Sequence, residues 1–111
     1  MFKLPNKPFH VIQKFLYEHR PLVFKYLVKK IKFAIKHDIT RIELFELPSP
    51  QNIRHVAIVK EIDYEKVLEQ AIEVCAEVED YETAAAAKNT IDEYREKHIT
   101  KLLNDISKHE E

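Results

Sequence analysis

Glycine and tryptophan are absent from this 111-residue chain, and cysteine occurs once. Phosphate-cradling loops and nucleophile elbows use glycine for positive φ or for close backbone approach to a ligand, so neither can be built here in its usual form. The lone thiol, Cys75, can form no intramolecular disulfide and gains nothing from an oxidising compartment. Long apolar runs are missing too. None approaches the roughly 18 residues needed to span a bilayer, and Met1 to Pro8 lacks the apolar centre of a signal peptide. The expectation is a soluble, cytoplasmic chain with no membrane association.

Side chains suited to catalysis are also sparse. Of the two serines, Ser49 lies between prolines and Ser107 lies near the end of the last helix, and neither has a nucleophile's context. Cys75 falls on the apolar face of its helix, where a thiol is buried and inert. Asp92 and Glu93 are adjacent and point to different helical faces, so they form no acid/base pair. None of the six histidines lies three residues from a glutamate, and there is no HExxH. The sequence therefore predicts a protein that is not an enzyme and uses no metal, cofactor or small-molecule substrate.

What remains is a foldable, highly charged chain. With 45% hydrophobic and 33% charged residues and a mean hydropathy of -0.40, it lies on the globular side of the boundary with disorder. At 111 residues there is room for one domain, 1–111. The net charge of -1 hides a division. Residues 1 to 60 hold twelve Lys and Arg against four Asp and Glu, a net of +8, and residues 61 to 111 hold six against fifteen, a net of -9. Such a split predicts a basic surface for an anionic partner, or two surfaces that pair within or between chains.

Periodicity divides the domain into four parts. Residues 1–8, with two prolines, read as an extended arm. Residues 9–37 read as two basic helices. In the first, Val11, Ile12, Phe15 and Leu16 recur at spacings of three and four, and Pro21 suits the first turn of the second. Along that second helix Val23, Phe24, Leu27, Val28, Ile31, Ala34 and Ile35 share a face, and Lys25, Lys29, Lys32 and Lys36 line the opposite one. Residues 39–61, with β-branched and aromatic runs on both sides of Pro48-Ser49-Pro50, read as a two-stranded β-hairpin. Residues 63–107 read as an acidic helical hairpin. Asp63 caps its first helix, which carries Tyr64, Val67, Leu68, Ala71, Ile72, Cys75 and Val78 on one face, and a break falls near Glu79-Asp80. The fold class is thus α+β and mostly α.

Leu68 to Arg95 reads LEQAIEVCAEVEDYETAAAAKNTIDEYR. This segment resembles the UvrB/UvrC motif, with Asp80-Tyr81-Glu82 as the corner, Ala84-Ala85 as the alanine pair and Ile91 as the following isoleucine. Ala87, Lys88 and Asn89 stand where that motif has leucine, arginine and aspartate. The resemblance implies a two-helix hairpin used for protein–protein contact. It implies none of the helicase, nuclease or ATPase activities of proteins that carry the motif, since nothing else in the chain is similar to them.

Physical reasoning leads to the same place. Two antiparallel helices with apolar faces on both sides of a tight corner cannot bury both faces alone and need a third layer. That layer is either the N-terminal helices of the same chain or a second hairpin, as in a homodimer. The expected contact residues are Tyr81, Ala84, Ala85, Lys88, Ile91 and Tyr94. Tyr81 would anchor the corner, the alanines would permit close helix approach and Lys88 would meet an acidic group.

The lysine stripe offers a competing function. Lys25, Lys29, Lys32 and Lys36 could meet nucleic-acid phosphates while Tyr26 and Phe33 stack on bases. Its alternatives are a solvated face, or pairing with the acidic series Glu65, Glu69, Glu73 and Glu77, which has a similar length. A pI of about 6.6 and the lack of any RRM, KH or zinc-finger signature argue against nucleic acid.

Overall fold

The computed structural model describes residues 2–3, 7–47 and 55–109. Helix α1 (Phe9–Glu18) is joined through His19 alone to α2 (Arg20–Lys36), which has Pro21 in its first turn. Strands β2 (Arg41–Leu47) and β3 (His55–Lys60) pair antiparallel, and a single 3₁₀ turn, Glu61–Asp63, leads into α3 (Tyr64–Glu77) and α4 (Tyr81–His109). The expected proline turn at Pro48-Ser49-Pro50 lies outside the described residues.

The expected antiparallel hairpin is present; one strand adds to it, and the expected cap needs correction. The sheet has three strands, because β1 (Phe2–Lys3), within the expected arm, pairs parallel with β2 at Phe2↔Phe45 and Lys3↔Glu46. A central strand has two hydrogen-bonding edges, and the arm occupies the one that β3 leaves open. Asp63 does precede α3, but its side chain makes no cap bond. A capping side chain reaches back from an extended backbone, whereas Asp63 has φ -100 and ψ -3, already helical.

The core forms around α2. Its Leu27, Val28, Ile31, Ala34 and Ile35 are buried against Ile42 and Leu44 of β2, Tyr64, Leu68 and Ala71 of α3, and Ala87 and Ile91 of α4. The third layer over the helical hairpin is thus the chain's own α2. Leu44 and Phe45 are neighbours yet both contribute to this core, which strict strand alternation forbids. A register shift between Glu43 and Phe45 resolves the conflict, as a β-bulge does. Tyr64 is fully buried, and its hydroxyl donates to the Ile39 carbonyl at 2.9 Å, tying the start of α3 to the segment that leaves α2.

Both α2 and α3 end in the same way, without glycine. Asp38 has φ 56, the Ile39 N–H donates to the Ala34 carbonyl at 2.8 Å, and the Asp38 N–H donates to the Ile35 carbonyl at 3.5 Å. Glu79 has φ 62, with Asp80 N–H to the Cys75 carbonyl at 2.8 Å and Glu79 N–H to the Ala76 carbonyl at 3.0 Å. Each is a Schellman cap whose left-handed residue carries a side chain. At the α2 end Lys97 of α4 supplies a cation, donating to the Ile35 carbonyl at 2.7 Å and pairing with Asp38 at 2.5 Å. That placement suits a helix C-terminus, and the Lys97 hydrogen bond holds the Asp38 carboxyl below its ordinary range.

Candidate interaction surface

Helix α4 has 29 residues, α3 has 14, and they run antiparallel from the corner at Val78–Asp80. At 1.5 Å per residue their lengths are about 43 Å and 21 Å, so half of α4 has no α3 beside it. Contacts fix where the cover ends. The Tyr94 hydroxyl donates to Glu61 at 3.4 Å, and Arg95 pairs with Glu65 at the start of α3. From Arg95 to Lys108 every residue is exposed.

The corner itself is firmly set. The Thr83 N–H donates to Asp80 Oδ1 at 3.2 Å, satisfying an orphan donor of the first turn of α4. Hydrogen bonds from Thr83, side chain first and backbone second, hold the Asp80 carboxyl below its usual value. Cys75 is buried beneath the corner, and its thiol is pushed up by burial and then by Asp80.

The six residues expected to form the contact do not share one surface. Tyr81, Ala85 and Lys88 are exposed, and Ala84 is half-buried. Ile91 is only 5% exposed, because it lies on the face of α4, with Ala87 and Thr90, that α2 and α3 cover. Tyr94 is half-buried against the core, and its hydroxyl is pushed up by burial and by the Glu61 carboxylate. A partner can therefore meet Tyr81, Ala85 and Lys88 but not Ile91.

Beyond these residues lies a set that the sequence reasoning missed. Ile99, Leu102, Leu103 and Ile106 are each 51% to 60% exposed and follow one another at i, i+3, i+4 and i+7. At about 100° per residue, Ile99 sits about 80° round the helix from buried Ile91, off the covered face. The same direction includes Tyr81, Ala85, Lys88, Asp92 and Arg95. Tyr81, Ala85, Lys88, Asp92, Arg95, Ile99, Leu102 and Ile106 are spaced alternately four and three apart, and all eight are exposed. That is the a/d spacing of a coiled-coil seam, apolar at both ends and charged in the middle. The 4–3 spacing was available in the sequence, but the apolar pattern breaks at Lys88, Asp92 and Arg95 and so does not stand out as a stripe.

On α2, Lys25, Lys29, Lys32 and Lys36 are exposed as expected. Among the described residues none of them forms an ion pair with the glutamates of α3. Arginines take those partners, with Arg95 on Glu65 and Glu69 and Arg20 on Glu77 at 3.9 Å. Tyr26 departs from its expected role. It is half-buried, stacked on Phe45 at 6.4 Å with the Lys30 ammonium 5.6 Å over its ring, and so is not available to a base. Phe33 is exposed and packs its ring 4.3 Å from that of His37.

Lys32, Ile35, Lys36, Glu93 and Lys97 line an open groove of about 360 Å³ between α2 and α4. Among the described residues no three His, Cys, Asp or Glu side chains gather closely enough to hold a metal ion. No described helix is long and apolar enough to cross a membrane.

Compared with known proteins, the chain matches no family model, no curated protein and no solved structure.

Proposed function

We propose that this chain is a non-catalytic cytoplasmic interaction protein that binds a protein partner through the free face of α4. The observation that carries the reading is the apolar set Ile99, Leu102, Leu103 and Ile106, exposed on a helix that continues about 20 Å past its neighbour. A lone exposed leucine is ordinary, but contiguous apolar side chains on one helix face mark a contact surface. The helix-in-groove mode of recognition uses this i, i+3, i+4, i+7 pattern. The UvrB/UvrC-like segment supports the same class of function, since the corner and Tyr81, Ala85 and Lys88 fall on the same side of α4 as the apolar set.

The test compares the wild type with Leu102→Lys/Ile106→Lys in two measurements, light scattering of the purified chain and affinity capture from its native host. The variant should lose either self-association or a specific retained protein while keeping its helical circular dichroism. If both measurements are unchanged by the substitutions, the α4 face is not the contact.

A second reading rests on the lysine face, which pairs with no α3 glutamate among the described residues. Nucleic acid would meet Lys25, Lys29, Lys32 and Lys36 through phosphates, with Phe33 an exposed ring on the same helix. Four phosphate contacts would give log K against log salt a slope of about -3 to -4. Oligonucleotide titrations with no binding at low salt, or with no salt dependence, eliminate it.

A further inference from the structure

Resting on the reading that α4 is the contact helix, we infer that its occupant is a second copy of this chain, packed antiparallel with α4 against α4 about a two-fold axis between Asp92 and Arg95. The eight-residue seam specifies both orientation and register. In an antiparallel pair each a position faces a d position of the partner. Setting Asp92 opposite Arg95 of the other copy places Lys88 opposite Ile99, Ala85 opposite Leu102 and Tyr81 opposite Ile106.

Every layer of that register is chemically matched. Ala85, the smallest residue of the seam, meets a leucine, the large-to-small complementarity that a close helix pair needs. Tyr81 and Ile106 close the two ends with apolar contact. The aliphatic stem of Lys88 lies on Ile99 with its ammonium free to reach water. At the centre the two-fold axis produces two Asp92–Arg95 pairs. Arg95 already gives its Nε to Glu65 and sets an Nη 4.0 Å from Glu69, and a guanidinium has five N–H donors, so it can serve a third carboxylate.

The competing arrangements are worse. A parallel pair stacks Lys88 on Lys88, Asp92 on Asp92 and Arg95 on Arg95, three like-charge layers in a row. An antiparallel overlap of the apolar end alone, Ile99 to Ile106, is about 10 Å long and leaves Tyr81 and Ala85 uncovered. The full register runs from Tyr81 to Ile106, about 38 Å. Only this register engages all eight seam positions, and Val78, 52% exposed beside the corner, then lies next to the partner's end of the seam.

The experiment is a charge exchange read by sedimentation equilibrium of the full chain, with circular dichroism as the folding control. Wild type should dimerise, and Asp92→Arg should weaken dimerisation at least about tenfold by setting arginine against arginine. Arg95→Asp should do the same, and the double variant Asp92→Arg/Arg95→Asp should restore dimers. Because Arg95→Asp also removes the pairs with Glu65 and Glu69 inside one chain, restoration in the double variant is the decisive measurement. A wild-type dimer that tolerates Asp92→Arg, or a double variant that stays monomeric while folded, overturns the register. A monomeric wild type overturns the second copy as occupant. If that monomer still retains a host protein through Leu102 and Ile106, the interaction reading of α4 survives without this inference.

Discussion

At the scale of single residues, the absence of glycine has a visible consequence. Asp38 and Glu79 hold left-handed backbone conformations that a side chain disfavours by roughly 1–2 kcal/mol. Asp38 is partly repaid by its pair with Lys97, whereas Glu79 is exposed and forms no ion pair among the described residues. Glu79→Gly should therefore stabilise the fold by about 0.5–1 kcal/mol, the left-handed penalty removed less the extra unfolded-state entropy of glycine. Urea unfolding should show a higher midpoint with an unchanged slope. A lower midpoint would mean that the Glu79 side chain makes a contact that outweighs its backbone. The same reasoning does not apply at position 38, where glycine would also delete the Lys97 pair.

At the scale of elements, the corner between α3 and α4 depends on one carboxylate. Asp80 is held below its ordinary value by Thr83, so its folded pKa lies under its unfolded one. A depressed acid stabilises the fold above the unfolded pKa, near 3.8, and that contribution is lost as pH falls through the folded pKa. Asp80→Ala should lower the urea midpoint at pH 7, and the gap from wild type should narrow below about pH 4 as the wild-type cap takes up its proton. A gap that stays constant with pH would assign the effect to helix propensity and not to the charged cap. Elements of this kind were unevenly legible in the sequence. The four helices follow from apolar spacing, as Leu27, Ile31, Ala34 and Ile35 illustrate, because burial of one face imposes a 3.6-residue period. Strand β1 was not legible, since two residues carry no period and its pairing with Phe45 and Glu46 spans more than forty positions of sequence. The glutamate row of α3 was legible as a row, but its partners Arg20 and Arg95 lie on two other helices, and only the tertiary packing brings them there. For the candidate surface, the corner motif points to Tyr81, Ala85 and Lys88, and all three are exposed. Ile91 lies in the core instead; a residue that completes a motif and a residue that completes a core look alike in one dimension.

At the scale of the whole molecule, the buried core and the exposed apolar set of α4 lie at two ends. The buried side chains that hold the fold lie between Ile12 and Ile91, whereas Ile99, Leu102, Leu103 and Ile106 bury little within one chain. A chain ended after His98 keeps Lys97 on the α2 terminus and keeps all of the core, so at dilute, monomeric concentrations its unfolding free energy should change by less than about 0.5–1 kcal/mol. Ile31→Ala gives the contrast, because a fully buried isoleucine at the centre of the cluster should cost about 2–5 kcal/mol through lost burial and the cavity left behind. The two ends differ again when concentration is raised. Association that favours the folded state adds stability with concentration, so full-length midpoints should climb while those of the shortened chain stay level. Should removal of the last thirteen residues lower dilute stability by as much as Ile31→Ala does, the exposed half of α4 belongs to the fold and is not free to serve as a contact. The physical ground for expecting otherwise is that a helix beyond its packing partner gains little from its own hydrogen bonds in water, and its apolar face repays ordering only when something covers it.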